Sequence, residues 1–90
     1  QDILGRQAER VVEDGSIQIF KRPLADGSYA LGIFNVGDED VNIDLQRYLQ
    51  QIGAQKLTAV RDLWRQKDLS ATDLRYFLPS HGVKYLKVRF

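Results

Sequence analysis

Ninety residues allow one domain with a modest core, because a chain of this length hides only somewhat over half of the surface that its unfolded form exposes. Thirteen basic and twelve acidic residues leave a net charge of +1, which excludes the broad basic field of a protein that binds nucleic acid or anionic membranes. The sequence has no cysteine, so disulfides, thiolate metal sites and a thiol nucleophile are excluded. We expect one domain over residues 1–90, with no cofactor, no nucleic-acid partner and no membrane segment.

The first elements in chain order are predicted to form a β-hairpin. Two β-type runs, "AERVVE" (8–13) and "SIQIFKR" (16–22), are separated by Asp14-Gly15. Asp-Gly is preferred in two-residue turns that need positive φ at both central positions, so the two runs are predicted to pair as antiparallel strands. Pro23 then ends the second strand, because proline has no N–H to donate to a ladder.

The next run, "YALGIFN" (29–35), follows a turn at residues 25–28 and carries apolar side chains on both faces. A strand with two apolar faces is typical of the centre of a sheet, and Gly32 within it predicts a bulge or a close backbone approach. "VNIDL" (41–45) then alternates apolar and polar residues, which predicts a strand with one buried face.

One short helix is predicted over residues 45–52. Its apolar side chains recur at the i, i+3, i+4 and i+7 spacing of a helix face: Leu45, Tyr48, Leu49 and Ile52. Asp44 is placed to cap the amino end, and Gly53 can adopt the left-handed conformation that ends a helix.

Three further β-type runs complete the chain: "KLTAVRDL" (56–63), "LRYFLP" (74–79) and "GVKYLKVRF" (82–90). In the last run the apolar side chains change face near Lys84, which predicts a bulge or a twist there. Short strands at intervals of about 8 to 12 residues are typical of sandwiches and barrels. The predicted fold is all-β: an antiparallel β-sandwich of about seven or eight strands with Greek-key-like connections and the one short helix.

Two polar stretches invite a catalytic or metal-binding interpretation, but their spacing is unsuitable. Adjacent residues of an extended chain point to opposite faces, so Ser80 and His81 are badly placed for the hydroxyl–imidazole contact of a nucleophilic site. The acidic run 38–40 lacks the spaced oxygens and the later bidentate carboxylate of a calcium loop. Both stretches are interpreted as turns, and no catalytic or metal-binding residue is predicted.

Trp64, the only tryptophan, lies between Asp62 and Asp68. The two aspartates could form the carboxylate pair of a glycosidase, but a domain this small has little volume to enclose a substrate cleft. The indole could be an exposed platform for a sugar ring, together with three tyrosines: Tyr29, Tyr76 and Tyr85. Burying a large indole beside Leu63 and Leu69 contributes several times more than a surface ion pair, so a buried structural anchor is the favoured interpretation.

Four motifs follow one another along the chain: "QDILGRQ", "FKRPLADGSYALGIFN", "VRDLWRQKDL" and "LPSHGVKYLKV". This ordered set covers essentially the whole chain, and it resembles the C-terminal antiparallel β-domain of α-galactosidases and α-N-acetylgalactosaminidases of glycoside hydrolase family 27. In that family a separate (β/α)8 barrel carries two catalytic aspartates. The resemblance implies that no residue of this chain corresponds to them.

Within these motifs the chain departs from the family pattern at two positions. Ile3 stands where the family's linking segment "QDPLG" has proline, and Phe20 replaces the tryptophan of the family's "W-x-RPL". "RDLW" is intact at residues 61–64, and the resemblance implies a structural role for it at the end of a strand. The start at Gln1 rather than Met further indicates a piece of a longer protein.

The residues and the resemblance together predict a non-catalytic C-terminal accessory domain of an α-galactosidase-like enzyme, which packs against the catalytic barrel of the same polypeptide and stabilises it. The expected domain interface is an exposed apolar patch near four residues: Ile3, Leu4, Pro23 and Leu24. The alternative is an autonomous carbohydrate-binding module that uses Trp64. The parent protein is expected to be periplasmic or secreted, and self-association through the uncovered face is expected for the domain without its barrel.

Overall fold

The computed structural model describes residues 8–90, so the expected interface residues Ile3 and Leu4 lie outside the described residues. The strands are β1 (Glu9–Asp14), β2 (Ile17–Pro23), β3 (Tyr29–Asn35), β4 (Val41–Asp44), β5 (Ala59–Asp62), β6 (Lys67–Leu69), β7 (Arg75–Leu78) and β8 (Val83–Arg89). A 3-10 helix (Leu45–Tyr48) and a short α-helix, α1 (Leu49–Ile52), lie between β4 and β5. Between residues 8 and 90 no helix is long and apolar enough to cross a membrane.

The strands form two antiparallel sheets. A six-stranded sheet has the order β1-β2-β3-β8-β5-β6, and a two-stranded sheet pairs β4 with β7. The chain leaves the large sheet after β3 and returns to it at β5, so that β8 is inserted between β3 and β5. The predicted all-β antiparallel sandwich with Greek-key-like connections is therefore confirmed. β3 is an interior strand, as its two apolar faces predicted.

The core lies between the two sheets and the helical segment. Its largest fully buried side chains come from all three parts: Ile19, Leu31, Ile33, Leu45, Ile52, Leu74, Leu78 and Leu86. Burial of an aliphatic side chain of this size contributes roughly 1.5–3 kcal/mol, so this set is a main source of the favourable free energy of folding.

The helical segment has the predicted bounds and caps. The Asp44 carboxylate accepts a hydrogen bond from the Gln46 N–H at 3.0 Å, as an N-cap residue does. Gly53 has a φ of 100°, and its N–H donates to the Leu49 carbonyl oxygen at 2.9 Å. The first half of the segment is a 3-10 helix rather than an α-helix.

The predicted turn of the first hairpin is displaced by one residue. Asp14 still pairs with Ile17, so the two loop residues are Gly15 and Ser16. Of these two, Gly15 alone has a positive φ, 58°. A turn that has glycine at its first central position, and a positive φ at that position only, is typically of type II′. A type II′ turn matches the twist of a hairpin as well as the expected turn does.

At Gly32 and at Lys84 a bulge was one of two alternatives, and it is excluded because β3 and β8 pair without a register shift. Gly32 takes part in the regular ladder, and so does Lys84. Val83 and Tyr85 point away from the core, whereas Leu86 faces it. The point in the sequence where the apolar residues change face therefore marks a strand that carries apolar side chains on both of its faces.

Candidate functional site

The β5–β6 turn is fixed by Asp62, the last residue of β5. One carboxylate oxygen accepts hydrogen bonds from the backbone N–H groups of Trp64 (2.9 Å) and Arg65 (3.0 Å), and the other lies 3.3 Å from Lys84 Nζ. Burial raises the pKa of Asp62, but the hydrogen bonds from Arg65, Lys84 and Trp64 outweigh burial and hold the pKa below its usual 3.8. The charged carboxylate therefore determines the path of the turn.

Trp64 is exposed, so the buried-anchor interpretation is wrong. Three-quarters of its surface, 75%, is accessible to solvent. The inward position at the end of β5 is occupied by the side chain of Asp62, and the chain then turns outward. Leu63 still donates its N–H to the Tyr85 carbonyl oxygen at 3.0 Å, which places the indole beside the start of β8.

Trp64 lines a groove of about 380 Å³ between the β5–β6 turn, the end of β7 and the start of β8. Two further apolar side chains in this lining are largely exposed, Phe77 at 58% and Val83 at 44%. Lys84 and Tyr85 complete the side formed by β8. We call this concavity the Trp64 groove.

A row of rings continues from the Trp64 groove across the outer face of the large sheet. Phe34 lies edge-to-face with Phe20 at a centroid distance of 5.6 Å and with Tyr85 at 6.0 Å. Phe20 and Tyr85 flank Gly32 in the ladder, on the face opposite the core. We call these three rings the outer aromatic row. An antiparallel sheet usually has a polar outer face, so this apolar face is the unusual feature of the domain.

Among the charged side chains of the Trp64 groove, those of Asp62 and Lys84 contact each other, whereas that of Arg65 forms no ion pair with Asp62. Besides its contact with Asp62, Lys84 Nζ lies 5.1 Å from the centre of the Tyr76 ring. Burial raises the pKa of Tyr76 to about 12, and its buried hydroxyl has no hydrogen-bond partner within residues 8–90. The Arg65 guanidinium makes no ion pair with another described residue, so it is a free charge at the rim.

The other predicted site residues do not converge on Trp64. Pro23 is exposed and Leu24 half-buried, and both lie at the opposite end of the large sheet, where Pro23 pairs with Tyr29. Tyr29 stacks on Phe90 there at 4.8 Å. Tyr76 is half-buried beneath Lys84, which leaves Tyr85 as the one predicted tyrosine beside Trp64.

Neither of the two catalytic constellations considered from the sequence is assembled. Asp62 points toward the core, whereas Asp68 is exposed on the other face of the sheet and pairs with Arg61 at 2.8 Å. The Ser80 hydroxyl donates to the Gly37 carbonyl oxygen at 2.8 Å. The imidazole of His81 instead contacts Asp38.

The region around His81 connects two loops. His81 Nε2 lies 3.1 Å from Asp38 Oδ1, and the Ser80 N–H donates to Asp40 at 2.9 Å. The acidic run 38–40 therefore joins the β3–β4 loop to the β7–β8 turn. In the part of the chain that the structure describes, no group of three or more His, Cys, Asp or Glu side chains is placed to hold a metal ion.

A larger and more open concavity, about 830 Å³, lies between the β1–β2 turn, β4 and the 3-10 helix, and no sequence pattern indicated it. Its lining is polar. The Tyr48 hydroxyl donates to Asp14 at 2.8 Å, and Arg75 pairs with Asp73 at 2.9 Å. These contacts satisfy Asp14, Asp73 and Arg75 locally, and the concavity lacks the exposed aromatic side chains of the Trp64 groove, which is therefore the stronger candidate for a functional surface.

Comparison with known proteins identifies the domain. Residues 14–88 match the family model of the "Alpha galactosidase C-terminal beta sandwich domain". The chain is 30% identical over 89 residues to "Probable alpha-galactosidase A" of Aspergillus flavus, an alignment that covers 98% of this chain and 17% of the relative. It therefore spans about a sixth of the length of that relative.

Solved structures show the same fold within larger chains. α-Galactosidase I from Mortierella vinacea superposes with a TM-score of 0.71 at 27% identity, over 90% of this chain and 22% of that one. A family 27 β-L-arabinopyranosidase from Geobacillus stearothermophilus gives a TM-score of 0.74 at 22% identity, over 92% of this chain and 19% of that one, which shows the fold alone. The predicted resemblance is confirmed, and the chain belongs to the α-galactosidase C-terminal β-sandwich domain family.

Proposed function

We propose that this chain is the non-catalytic accessory domain of an α-galactosidase-like glycoside hydrolase, in which it packs against the catalytic (β/α)8 barrel of the same polypeptide and stabilises it. The observation that carries this proposal is the small share of each relative that the domain occupies, 17% in the Aspergillus flavus protein and 22% in the Mortierella vinacea enzyme. Neither Asp62 with Asp68 nor Ser80 with His81 is arranged for catalysis. The chemistry is therefore assigned to the remainder of the longer chain.

Truncation of the longer chain tests this proposal. We expect the longer chain to hydrolyse 4-nitrophenyl α-D-galactopyranoside and the 90-residue chain to leave it intact. Deleting residues 8–90 should lower the temperature at which the barrel loses half of its activity, because an interface between packed domains stabilises both of them. Hydrolysis by the 90-residue chain, or an unchanged inactivation temperature after the deletion, would contradict the proposal.

A second candidate function is carbohydrate binding at the Trp64 groove. It is supported by the 75% exposure of Trp64 and by the position of Tyr85 in the same lining, since exposed rings can stack on a sugar. Titration of the 90-residue chain with galactose, monitored by tryptophan fluorescence, tests it. A saturable change in emission would support this candidate, and a flat response up to millimolar sugar would eliminate it.

We further propose that the parent enzyme lies outside the cytoplasm, either in the periplasm or secreted. Fractionation of cells that express the longer chain from its own gene, followed by galactosidase assays of each fraction, tests it. Activity confined to the cytoplasmic fraction would contradict the assignment.

A further inference from the structure

We propose that the Trp64 groove, together with the adjoining outer aromatic row, is the surface of this domain that packs against the catalytic barrel. This inference rests on the proposed function and names the contact surface. The accessible surface of Trp64, Phe77 and Val83 together is roughly 300 Å². This area follows from their exposed fractions and from the total surface of about 150–250 Å² for an aromatic side chain. One side of a small inter-domain interface is of that order.

The composition of the surface suits a protein partner. Aromatic residues and arginine are enriched at the centres of protein interfaces, and Trp64 and Phe77 provide the exposed rings here. The guanidinium of Arg65, which forms no ion pair within residues 8–90, lies at the rim of the apolar centre. The chemistry that fits is therefore an apolar patch on the barrel, with a carboxylate positioned to meet Arg65.

The surface is also rigid. The backbone of the turn is held at Trp64 and Arg65 by the two hydrogen bonds to Asp62, and Val83 belongs to a regular strand paired with β3. A preorganised surface loses little conformational entropy when it is covered, which favours docking as a fixed body.

The polar groups of the groove favour a protein over a sugar. Sugar recognition needs free donors and acceptors for hydroxyl groups, but the Asp62 carboxylate already accepts three contacts and is nearly buried. Lys84 is shared between Asp62 and the Tyr76 ring. The exposed contact surface that the groove still offers includes three apolar side chains, Trp64, Phe77 and Val83.

The barrel is favoured over a second copy of the domain by connectivity. In the Aspergillus flavus relative the matched region is 17% of the chain, so the remaining five-sixths is covalently attached to it. Attachment gives the barrel a high effective concentration near any exposed surface of the domain, which a separate copy lacks.

Hydroxyl-radical footprinting tests the location of the interface. The 90-residue chain and the longer chain are oxidised in parallel, and the reactivity of Trp64, Phe77 and Leu24 is read by mass spectrometry. We expect Trp64 and Phe77 to react severalfold more slowly in the longer chain. Leu24, at the opposite end of the sheet, should change little.

Substitutions give an independent readout in the longer chain. Trp64→Ser combined with Phe77→Thr should divide its thermal unfolding into two transitions and make Tyr85 more reactive toward radicals. The same pair should change the melting temperature of the 90-residue chain little, because both side chains are exposed there. Val36→Thr is the matched control, since Val36 is 49% exposed but does not line the groove.

The alternative outcomes separate the two proposals. Protection of Leu24 with no change at Trp64 would overturn this surface and leave the accessory role standing. Equal reactivity of all three residues in both chains would overturn this surface, and an unchanged inactivation temperature after deletion of residues 8–90 would overturn the packing itself. Two further results would overturn the barrel assignment: protection of Trp64 in the longer chain that grows with protein concentration would indicate a second copy, and protection of Trp64 in the 90-residue chain that requires added galactose would indicate a sugar.

Discussion

At the scale of single residues, Asp62 controls where the exposed indole lies. Asp62→Ala removes the acceptor of the Trp64 and Arg65 N–H groups and deprives Lys84 of its counter-ion. We expect the free energy of unfolding to fall by about 2–3 kcal/mol, because one hydrogen bond to a charged group contributes about 1.5–3 kcal/mol and losses of neighbouring contacts do not add. Urea unfolding of the 90-residue chain, monitored by circular dichroism, measures this loss.

Asp62→Asn is the matched control. Its amide oxygen can still accept both backbone hydrogen bonds, and the variant loses mainly the attraction to Lys84. We expect a smaller loss, about 1 kcal/mol. Equal losses in the two variants would show that the ion pair, rather than the two backbone hydrogen bonds, determines the stability of the turn.

The exposure of Trp64 was not predictable from hydrophobicity, because residue type gives only an average tendency to be buried. A local signal was present. An aspartate at the end of a strand can accept hydrogen bonds from the N–H groups two and three residues later, and Asp62 stands in that relation to Trp64 and Arg65. Whether this turn or burial of the ring prevails depends on what already fills the core, which is a tertiary property.

At the scale of elements, the helical segment depends on the conformation of Gly53. Its φ of 100° is unfavourable for a residue with a Cβ atom, so Gly53→Ala should lower the free energy of unfolding by about 1–2 kcal/mol. The nearest atom to an added Cβ is Lys21 Nζ at 3.4 Å, an ordinary contact, so the cost is one of backbone conformation. Thermal unfolding measures it.

Gln55→Ala is the comparison for Gly53→Ala. Gln55 is exposed and lies just beyond the helix end, so its replacement should change the free energy of unfolding by less than about 0.5 kcal/mol. If Gly53→Ala were equally mild, the helix end would have to rearrange without cost, and the capping role of Gly53 would be wrong.

Elements marked by local signals were predictable, and elements set by long-range pairing were not. Asp44 and Gly53 mark the helical segment in the sequence, and its bounds agree with the structure. β6 has only three residues, too few to show a period. The insertion of β8 between β3 and β5 depends on partners far away in the chain, so in the sequence alone the apolar residues Val83 and Tyr85 indicate a bulge or a twist.

At the scale of the whole molecule, paired carboxylates govern stability in acid. Lys87 and Ser28 hold the pKa of Asp26 well below its usual range, Arg75 lowers the pKa of Asp73, and the hydrogen bonds to Asp62 outweigh burial and lower its pKa as well. A carboxyl whose pKa is lowered by folding stabilises the folded state above its unfolded pKa, and this contribution is lost as the pH falls through the folded value.

Stability of the 90-residue chain should therefore be nearly constant around neutral pH and decline below about pH 4, the unfolded pKa of aspartate. Urea midpoints measured between neutral pH and pH 2 check this expectation. Asp26→Asn should reduce the acid dependence, because it removes one of the titrating groups and its contact with Lys87. If the urea midpoint of Asp26→Asn fell with decreasing pH as steeply as that of the original chain, the assignment to Asp26 would be wrong.

The alkaline side is governed by a different group. Burial raises the pKa of Tyr76 to about 12, so its protonated form stabilises the folded state below the unfolded pKa of about 10, and this contribution is lost as the pH rises toward 12. Tyr76→Phe should cost little at neutral pH, since the hydroxyl has no hydrogen-bond partner in the described part of the chain. Above about pH 10 the urea midpoint of the original chain should fall relative to that of the phenylalanine variant. A difference that stays constant up to pH 12 would show that Tyr76 titrates equally in the folded and unfolded states.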